Sequence, residues 1–110
     1  MLPNLLNSDQ IEKVNEFANL IYSENKKFNL TGLKNIEDIK DILIYESIRS
    51  FNYANLNLED SFKVIDIGTG AGIPGIPFKI MYEKAKLILV DSNHKKCNFI
   101  EKVIKELGID

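Results

Sequence analysis

Apolar residues recur at helical spacing near the start of the chain. Ile11, Val14, Phe17 and Ile21 are separated by three or four residues, so a helix would gather them on one face. Asn7 or Ser8 precedes this run and can accept a hydrogen bond from a free N–H group of the first turn. The pattern predicts an amphipathic helix from Asn7 to about Asn25.

A second periodic run begins after a turn segment that extends from Asn25 to Asn35 and contains Gly32. Glu37 and Asp38 suit the positive end of a helix, and apolar residues follow at helical spacing as far as Ser47. The stretch "FNYANLNLEDS" from Phe51 to Ser61 is polar and rich in asparagine, which is typical of a linker.

The pattern changes at Phe62. "FKVIDI" and "KLILVD" are short runs rich in β-branched residues, and each ends in an acid, whereas the run from Lys95 to Leu107 returns to helical spacing. The predicted order is strand, glycine turn, helix, strand, helix. This order indicates an α/β fold and the beginning of a doubly wound parallel sheet, whose ligands bind at the carboxyl ends of the strands.

Composition is that of an ordinary globular protein, with 110 residues, 45% hydrophobic and 27% charged. We expect one modest core, with residues 1–60 as a helical cap and linker and residues 61–110 as the sheet-containing part. No apolar run reaches the roughly 18 residues of a membrane span, and the first residues do not resemble a secretory signal. The expected location is therefore the cytoplasm, without a membrane partner.

Charge and cysteine content limit the possible chemistry. The net charge is −2, so any contact with a polyanion would have to be local. Cys97 is the single cysteine and has only His94 near it in sequence, which predicts no metal site and a half-buried structural thiol.

The most informative segment is "VIDIGTGAGIPGIP", from Val64 to Pro77. Gly70, Gly72 and Gly75 fit the G-x-G-x-x-G pattern of dinucleotide-binding proteins, which would indicate an oxidoreductase with a nicotinamide cofactor. Asp66 opposes this hypothesis because a carboxylate beside the loop would repel a pyrophosphate. Pro74 also removes a backbone donor, and no Gly-Lys-Ser/Thr follows as in a P-loop.

A second interpretation takes the pattern Asp66-x-Gly68-x-Gly70-x-Gly72. Glycines allow the backbone to approach a ligand closely, and an acid at the end of the strand suits a cationic ligand. S-adenosylmethionine has an ammonium and a sulfonium group and no phosphate. Asp91 ends the second strand, 21 residues after Gly70, where it could accept hydrogen bonds from ribose hydroxyls.

A third interpretation gives the glycines a purely architectural role. They would then make only a tight turn between strand and helix, Asp91 would cap the next helix, and the chain would be a non-catalytic remnant that binds a partner. Gly75 is in any case expected to be a packing site and Pro77 a residue of the first helical turn.

The chain resembles the ribosomal small-subunit methyltransferase G family, also called glucose-inhibited division protein B. The resemblance rests on "ENKKFNLTG", "VIDIGTGAGIPGIP" and "LILVDSNHKKCNFI", and it extends from about Phe17 to Leu107. It implies a Rossmann-like methyltransferase with an N-terminal helical cap, which transfers a methyl group from S-adenosylmethionine to guanine N7 of small-subunit ribosomal RNA.

The resemblance also implies which residues bind the cofactor and the RNA. Gly68 and Ile73 match cofactor-contacting positions of the family. The complete predicted cofactor set is Asp66, Gly68, Gly70, Gly72, Ile73, Asp91 and Ser92. Lys26, Lys27, Lys95 and Lys96 are predicted to make local phosphate contacts, although solvated surface lysines would look the same. Guanine N7 already carries a lone pair, so no catalytic base is assigned.

The chain departs from the family pattern at three positions in its N-terminal part. Glu24 stands where the family usually has Trp, Leu43 where it has His, and Glu46 where it has Asp. The sequence also supplies only two of the strands that a sheet of this class needs. We therefore expect a fragment or shortened product of the full enzyme, which on its own would be marginally stable and catalytically weak.

Overall fold

The computed structural model describes residues 6–53 and 63–109. Helix α1 spans Ser8–Asn25 and confirms the first predicted helix. Asn7 is its N-cap, and the side chains of Asn7 and Gln10 each accept a hydrogen bond from the other residue's backbone N–H at 2.8 Å. This reciprocal pair satisfies two backbone donors at the start of the helix.

The second helical region is longer than predicted and irregular. It consists of α2 (Ile36–Asp38), a π-helical segment (Ile39–Tyr45) and α3 (Glu46–Tyr53). Asn35 caps it by accepting a hydrogen bond from the N–H of Asp38 at 2.9 Å. The helix therefore continues past Ser47 into the segment that we predicted to be a linker, and the remainder of that linker lies outside the described residues.

The strands and the helices that follow them confirm the predicted order. Strand β1 spans Lys63–Ile67, α4 spans Gly75–Met81, β2 spans Lys86–Val90, and α5 spans His94–Leu107. The two strands are parallel, with Asp66 opposite Leu89 and Ile67 opposite Val90. The molecule is thus a mixed α/β structure whose strands both end at the same edge.

The two faces of this sheet differ in burial. Val64, Leu87 and Leu89 point toward the helices and pack against the core. Residues of the opposite face alternate with them and are exposed to solvent, namely Lys63, Ile65, Ile67, Lys86, Ile88 and Val90. The described helices therefore cover one face of the sheet only.

The core lies around α1, which packs against the π-helical segment, α4 and α5. Its most deeply buried side chains come from every helical region: Val14, Phe17, Ile21, Ile39, Ile44, Ile48, Ile76, Ile80, Phe99 and Val103. Helix α1 thus shares its core with the helices of the sheet-containing part. The boundary between residues 1–60 and 61–110 lies outside the described residues, and that division stays a prediction.

Helix α4 is short, and every one of its residues is buried. Side chains supply hydrogen bonds at its C-terminal end, where backbone carbonyls lack helical partners. Gln10 of α1 donates from Nε2 to the carbonyls of Ile80 and Met81, at 3.0 and 3.3 Å. Lys79 donates from Nζ to the carbonyls of Glu83 and Ala85, both at 2.6 Å. The α4 end and the turn into β2 are therefore fixed from two sides.

Candidate functional site

The loop that joins β1 to α4 remains attached to the end of β2. The N–H groups of Gly68 and Thr69 both donate to the carbonyl oxygen of Val90, at 2.7 and 3.1 Å. The carbonyl of Thr69 in turn accepts from the N–H groups of Gly72 and Ile73, at 3.0 and 3.3 Å. The glycine loop is thus held at the carboxyl ends of both strands.

The three glycines of the predicted motif all have left-handed backbone conformations. Their φ angles are +70° at Gly68, +60° at Gly70 and +92° at Gly72, which side chains of L-residues rarely allow. A Cβ added at Gly68 or Gly70 would meet no atom within 4 Å, whereas one at Gly72 would lie 2.8 Å from Cγ1 of Ile76. Gly68 and Gly70 therefore face open space, and Gly72 faces the core.

Asp91 lies against this loop. Its Oδ2 accepts from the N–H of Gly70 at 2.9 Å, and its Oδ1 accepts from the N–H of Asn93 at 2.9 Å. These bonds, that of Asn93 first, hold the pKa of the Asp91 carboxyl below its ordinary value, with a smaller effect from the charge of Lys96. The second acid is thus ionised and fixed in orientation.

Helix α5 is capped by a different residue from the one that the architectural hypothesis proposed. Oδ1 of Asn93 accepts from the N–H of Lys96 at 3.1 Å, and Asn93 is the N-cap. Asp91 precedes this cap and directs one oxygen at the glycine loop instead. The idea that Asp91 serves as the helix cap is therefore wrong.

Asp66 uses one carboxylate oxygen inside the protein. Its Oδ2 accepts from the hydroxyl of Thr69 at 2.8 Å and from the N–H of Gly75 at 3.0 Å. Our sequence reasoning missed Thr69, which is only 4% exposed. Its position between two motif glycines could have drawn attention to it, but no local pattern indicates that Asp66 is its partner.

Gly75 packs tightly, as predicted. A Cβ at this position would lie 2.5 Å from Cδ2 of Leu89 and 2.9 Å from Oδ2 of Asp66. The first N–H of α4 already donates to a carboxylate, at the place where a dinucleotide's pyrophosphate would need donors. This arrangement disfavours binding of a nicotinamide dinucleotide, because the Asp66 carboxylate would repel the pyrophosphate.

Three further residues near the loop have less defined surroundings. Ile73 is half-buried and packs against the core, and Ser92 is exposed beside Asp91. Cys97 is half-buried, as predicted, and its Sγ donates to the carbonyl of Asp91 at 3.0 Å. A cavity of about 210 Å³ lies beside Asp91, lined by Thr69, Cys97 and apolar residues of β2 and α5.

The four predicted RNA-contacting lysines lie on two adjoining segments. Nζ of Lys95 is 5.8 Å from the ring centroid of Phe28, which brings the first turn of α5 beside the segment that follows α1. Nζ of Lys26 lies 4.5 Å from the ring centroid of Tyr22, and Nζ of Lys27 lies 3.6 Å from Oε1 of Glu24. Lys96 lies near enough to Asp91 to affect its titration.

The positions that depart from the family pattern have ordinary surroundings. Glu24 forms the ion pair with Lys27, and Glu46 pairs with Arg49 at 3.2 Å on the surface of α3. Leu43 is partly buried against the core.

Within residues 6–53 and 63–109, no group of three or more potential metal-ligating side chains is arranged to hold an ion. No helix in those two ranges is both long and apolar enough to cross a bilayer.

The fold and the loop together define a class of protein. They describe an α/β protein in which two parallel strands bring a glycine loop and two carboxylates to one edge of the sheet. Comparison with known proteins narrows this class. A family model described as rRNA small subunit methyltransferase G, or GidB, matches residues 10–110. The chain belongs to this family, which confirms the resemblance seen in the sequence.

Individual relatives agree with this assignment. The protein named ribosomal RNA small subunit methyltransferase G of Mycoplasmoides gallisepticum is 48% identical over 106 residues, which cover 94% of this chain and 43% of the relative. Proteins of the same name from Mesoplasma florum and Mycoplasma genitalium are 40% and 37% identical, and the matches cover 40% and 53% of their lengths. The chain thus spans about half or less of the relatives it matches.

Proposed function

We propose that this protein transfers a methyl group from S-adenosylmethionine to guanine N7 of small-subunit ribosomal RNA. In this proposal, residues 1–60 form a helical cap, and residues 61–110 form the first part of a Rossmann-like cofactor-binding domain. Family membership supports the reaction class. The observation that carries the cofactor site is the hydrogen bond from the N–H of Gly70 to Asp91, which joins the second acid to the glycine loop.

The loop fits the proposed cofactor in two respects. Gly68 and Gly70 have left-handed backbones and leave free the space that a side chain would fill, so a ligand can approach the backbone closely. Each oxygen of Asp91 accepts one backbone N–H and retains a further lone pair, which can accept a hydrogen bond from a ribose hydroxyl. The proposed cofactor-binding set also includes Asp66, Gly72, Ile73 and Ser92.

The chemical work assigned to these residues is positioning. Bound S-adenosylmethionine would supply an electrophilic methyl group on a cationic sulfur. Because guanine N7 already has a lone pair, no residue has to remove a proton before attack, and alignment can supply much of the rate. Asp91 would orient the nucleoside part and the glycine loop would fix its distance from the strands. We assign no catalytic residue.

The RNA would approach along the lysine-bearing segments. Lys26, Lys27 and Lys95 lie on adjoining elements connected by the contact between Lys95 and Phe28, and Lys96 follows in the same turn of α5. Phosphate contacts from lysine are non-specific and weaken with salt. The four lysines are therefore proposed to increase affinity for the RNA rather than to select a nucleotide.

The test uses the complete product of the gene, with calorimetry for cofactor binding and mass spectrometry for methylation of small-subunit RNA. Asp91→Ala should weaken binding of S-adenosylmethionine by about tenfold or more, because hydrogen bonds to a charged group are lost. Asp9→Ala, which removes an exposed carboxylate from the start of α1, is the matched control and should bind normally. Equal cofactor affinity in Asp91→Ala and wild type would contradict the site.

The same calorimetry distinguishes the remaining alternatives. A nicotinamide dinucleotide that bound more tightly than S-adenosylmethionine would favour an oxidoreductase. Absence of heat with either cofactor, together with retained binding to ribosomal subunits, would favour a partner-binding remnant.

A further inference from the structure

Thr69 connects more parts of the site than any predicted residue. Its N–H donates to Val90 of β2, its carbonyl accepts from Gly72 and Ile73 within the loop, and its hydroxyl donates to Oδ2 of Asp66 on β1. Through Asp66, which also accepts from the N–H of Gly75, it reaches the first residue of α4. The backbone of Thr69 therefore joins the loop to β2, and its buried hydroxyl joins the loop to Asp66 of β1 and, through Asp66, to α4.

The two oxygens of Asp66 have different partners. Oδ2 accepts from Thr69 and from Gly75, at 2.8 and 3.0 Å. Oδ1 accepts no hydrogen bond from a residue of the described ranges. Asp66 is half-buried and lines a cavity of about 150 Å³ with Val64, Pro74 and Phe78. An oxygen of a partly buried carboxylate that has no donor among the described residues is suited to a cation or another external donor.

Hydrogen bonds to Oδ2 also fix the rotation of the carboxylate. With only the Gly75 bond, the plane of the carboxylate could rotate about the bond between Cβ and Cγ. The second donor, the Thr69 hydroxyl, comes from the opposite end of the loop and defines the plane of the group. Thr69 is buried, so water cannot readily replace its hydroxyl as a donor.

We propose that Thr69 is a positioning residue for cofactor binding. It holds Asp66 so that Oδ1 of Asp66 meets the ammonium group of the cofactor's amino-acid part. This inference rests on the proposed function, and it assigns the two carboxylates to different parts of the ligand. Asp91 serves the ribose, whereas Asp66, through Thr69, serves the charged end. Thr69 itself need not touch the cofactor.

The proposal predicts a ligand-dependent effect. Calorimetry on the complete gene product compares the binding of two ligands. S-adenosylhomocysteine keeps the ammonium group, whereas 5′-methylthioadenosine lacks the whole amino-acid part. Thr69→Val removes the hydroxyl with little change in shape. It should weaken the binding of S-adenosylhomocysteine by about tenfold. Binding of 5′-methylthioadenosine should change by less than about threefold. Thr69→Ser should restore the wild-type preference, since it keeps the donor.

Control variants separate this role from a general effect on the loop. Thr31→Val removes the chain's other threonine hydroxyl, far from Asp66 in sequence, and should leave both affinities unchanged. In an Asp66→Asn background, Thr69→Val should have little further effect on S-adenosylhomocysteine, because both changes act on the same contact. If Thr69→Val does not fold, as judged by thermal unfolding without ligand, the smaller Thr69→Ala replaces it with the same expectations.

Each remaining outcome overturns the proposal. Equal losses of affinity for both ligands would mean that Thr69 only keeps the loop ordered. Unchanged affinities would mean that the Asp66 carboxylate binds the ligand without help from the Thr69 hydroxyl. If wild-type protein binds neither ligand nor S-adenosylmethionine, the proposed function fails and this inference fails with it. If wild type binds them and Thr69→Val behaves like wild type, only this inference fails.

Discussion

At the scale of single residues, Gly72 and Gly108 differ in how a side chain would destabilise the fold, through backbone strain or through crowding. Both have left-handed φ angles, +92° and +64°. A Cβ at Gly72 would also lie 2.8 Å from Ile76 and 3.0 Å from Ile100, whereas a Cβ at Gly108 would meet nothing within 4 Å. One position combines backbone strain with crowding, and the other has backbone strain alone.

Gly108→Ala should therefore lower the free energy of unfolding by about 1 to 2 kcal/mol. Gly72→Ala should lower it by about 2 to 4 kcal/mol, because crowding in the core adds to the strain. Urea unfolding of both variants checks the difference. Equal losses would mean that Ile76 and Ile100 move aside at no cost.

The Asp91 carboxyl makes stability depend on pH. Its pKa is lower in the folded protein than the ordinary value, because the N–H groups of Asn93 and Gly70 stabilise the charged form. A lowered folded pKa contributes stability that is present above the unfolded pKa and is lost as pH falls through the folded pKa. The loss should begin near pH 4 and continue downward.

Comparison with Asp91→Asn isolates this contribution. The difference in unfolding free energy between wild type and variant should be constant from pH 6 to about pH 5 and should shrink on further acidification. Urea unfolding at a series of pH values measures it. A difference that grew as pH fell would contradict the assigned direction of the pKa shift.

At the scale of secondary-structure elements, α4 depends on a residue from a distant part of the chain. Gln10 caps two carbonyls at the end of α4 and also takes part in the capping pair at the start of α1. Gln10 is buried, so its removal would leave these polar groups without partners in a largely dry environment.

Gln10→Ala should destabilise the protein by about 2 kcal/mol or more, since two carbonyls and one N–H lose their donor or acceptor. Glu16→Ala, at an exposed position of the same helix, should change stability by less than about 0.5 kcal/mol. Chemical unfolding of the two variants provides the comparison. Similar values for both would show that water replaces the amide of Gln10 without cost.

Element prediction succeeded where local patterns decide the structure. Asn7 begins α1 as expected, and β2 and α5 fall within one residue of their predicted bounds. The π-helical segment and the extension of α3 to Tyr53 were not predicted. Their hydrophobic spacing does not differ enough from that of an α-helix to reveal a wider turn, which depends on packing against other elements.

At the scale of the whole molecule, the exposed face of the sheet is the most unusual feature. Ile67 is 80% exposed and Ile65 is 57% exposed, and Ile88 and Val90 lie beside them on β2. Parallel sheets in proteins are almost always covered on both faces. An uncovered apolar face of this kind favours association.

We therefore expect the isolated 110-residue chain to self-associate through this face. Ile65→Thr combined with Ile88→Thr, which alters two paired positions while keeping β-branched side chains, should shift the chain toward monomer. Ile42→Thr removes a similarly exposed isoleucine from the π-helical segment and should leave association unchanged. Sedimentation velocity tests this, and a monomeric wild-type chain would refute the expectation.

Local periodicity and spacing were enough to predict the order of the elements, the glycine motif and the two acids at the strand ends. Tertiary structure decided how each acid is used. Asp66 and Thr69 meet through the turn of the loop, Asp91 and Gly70 meet because parallel pairing aligns the strand ends, and Gln10 meets residues about 70 positions away. Such contacts arise only when the chain packs, since no local pattern records which distant groups will become neighbours.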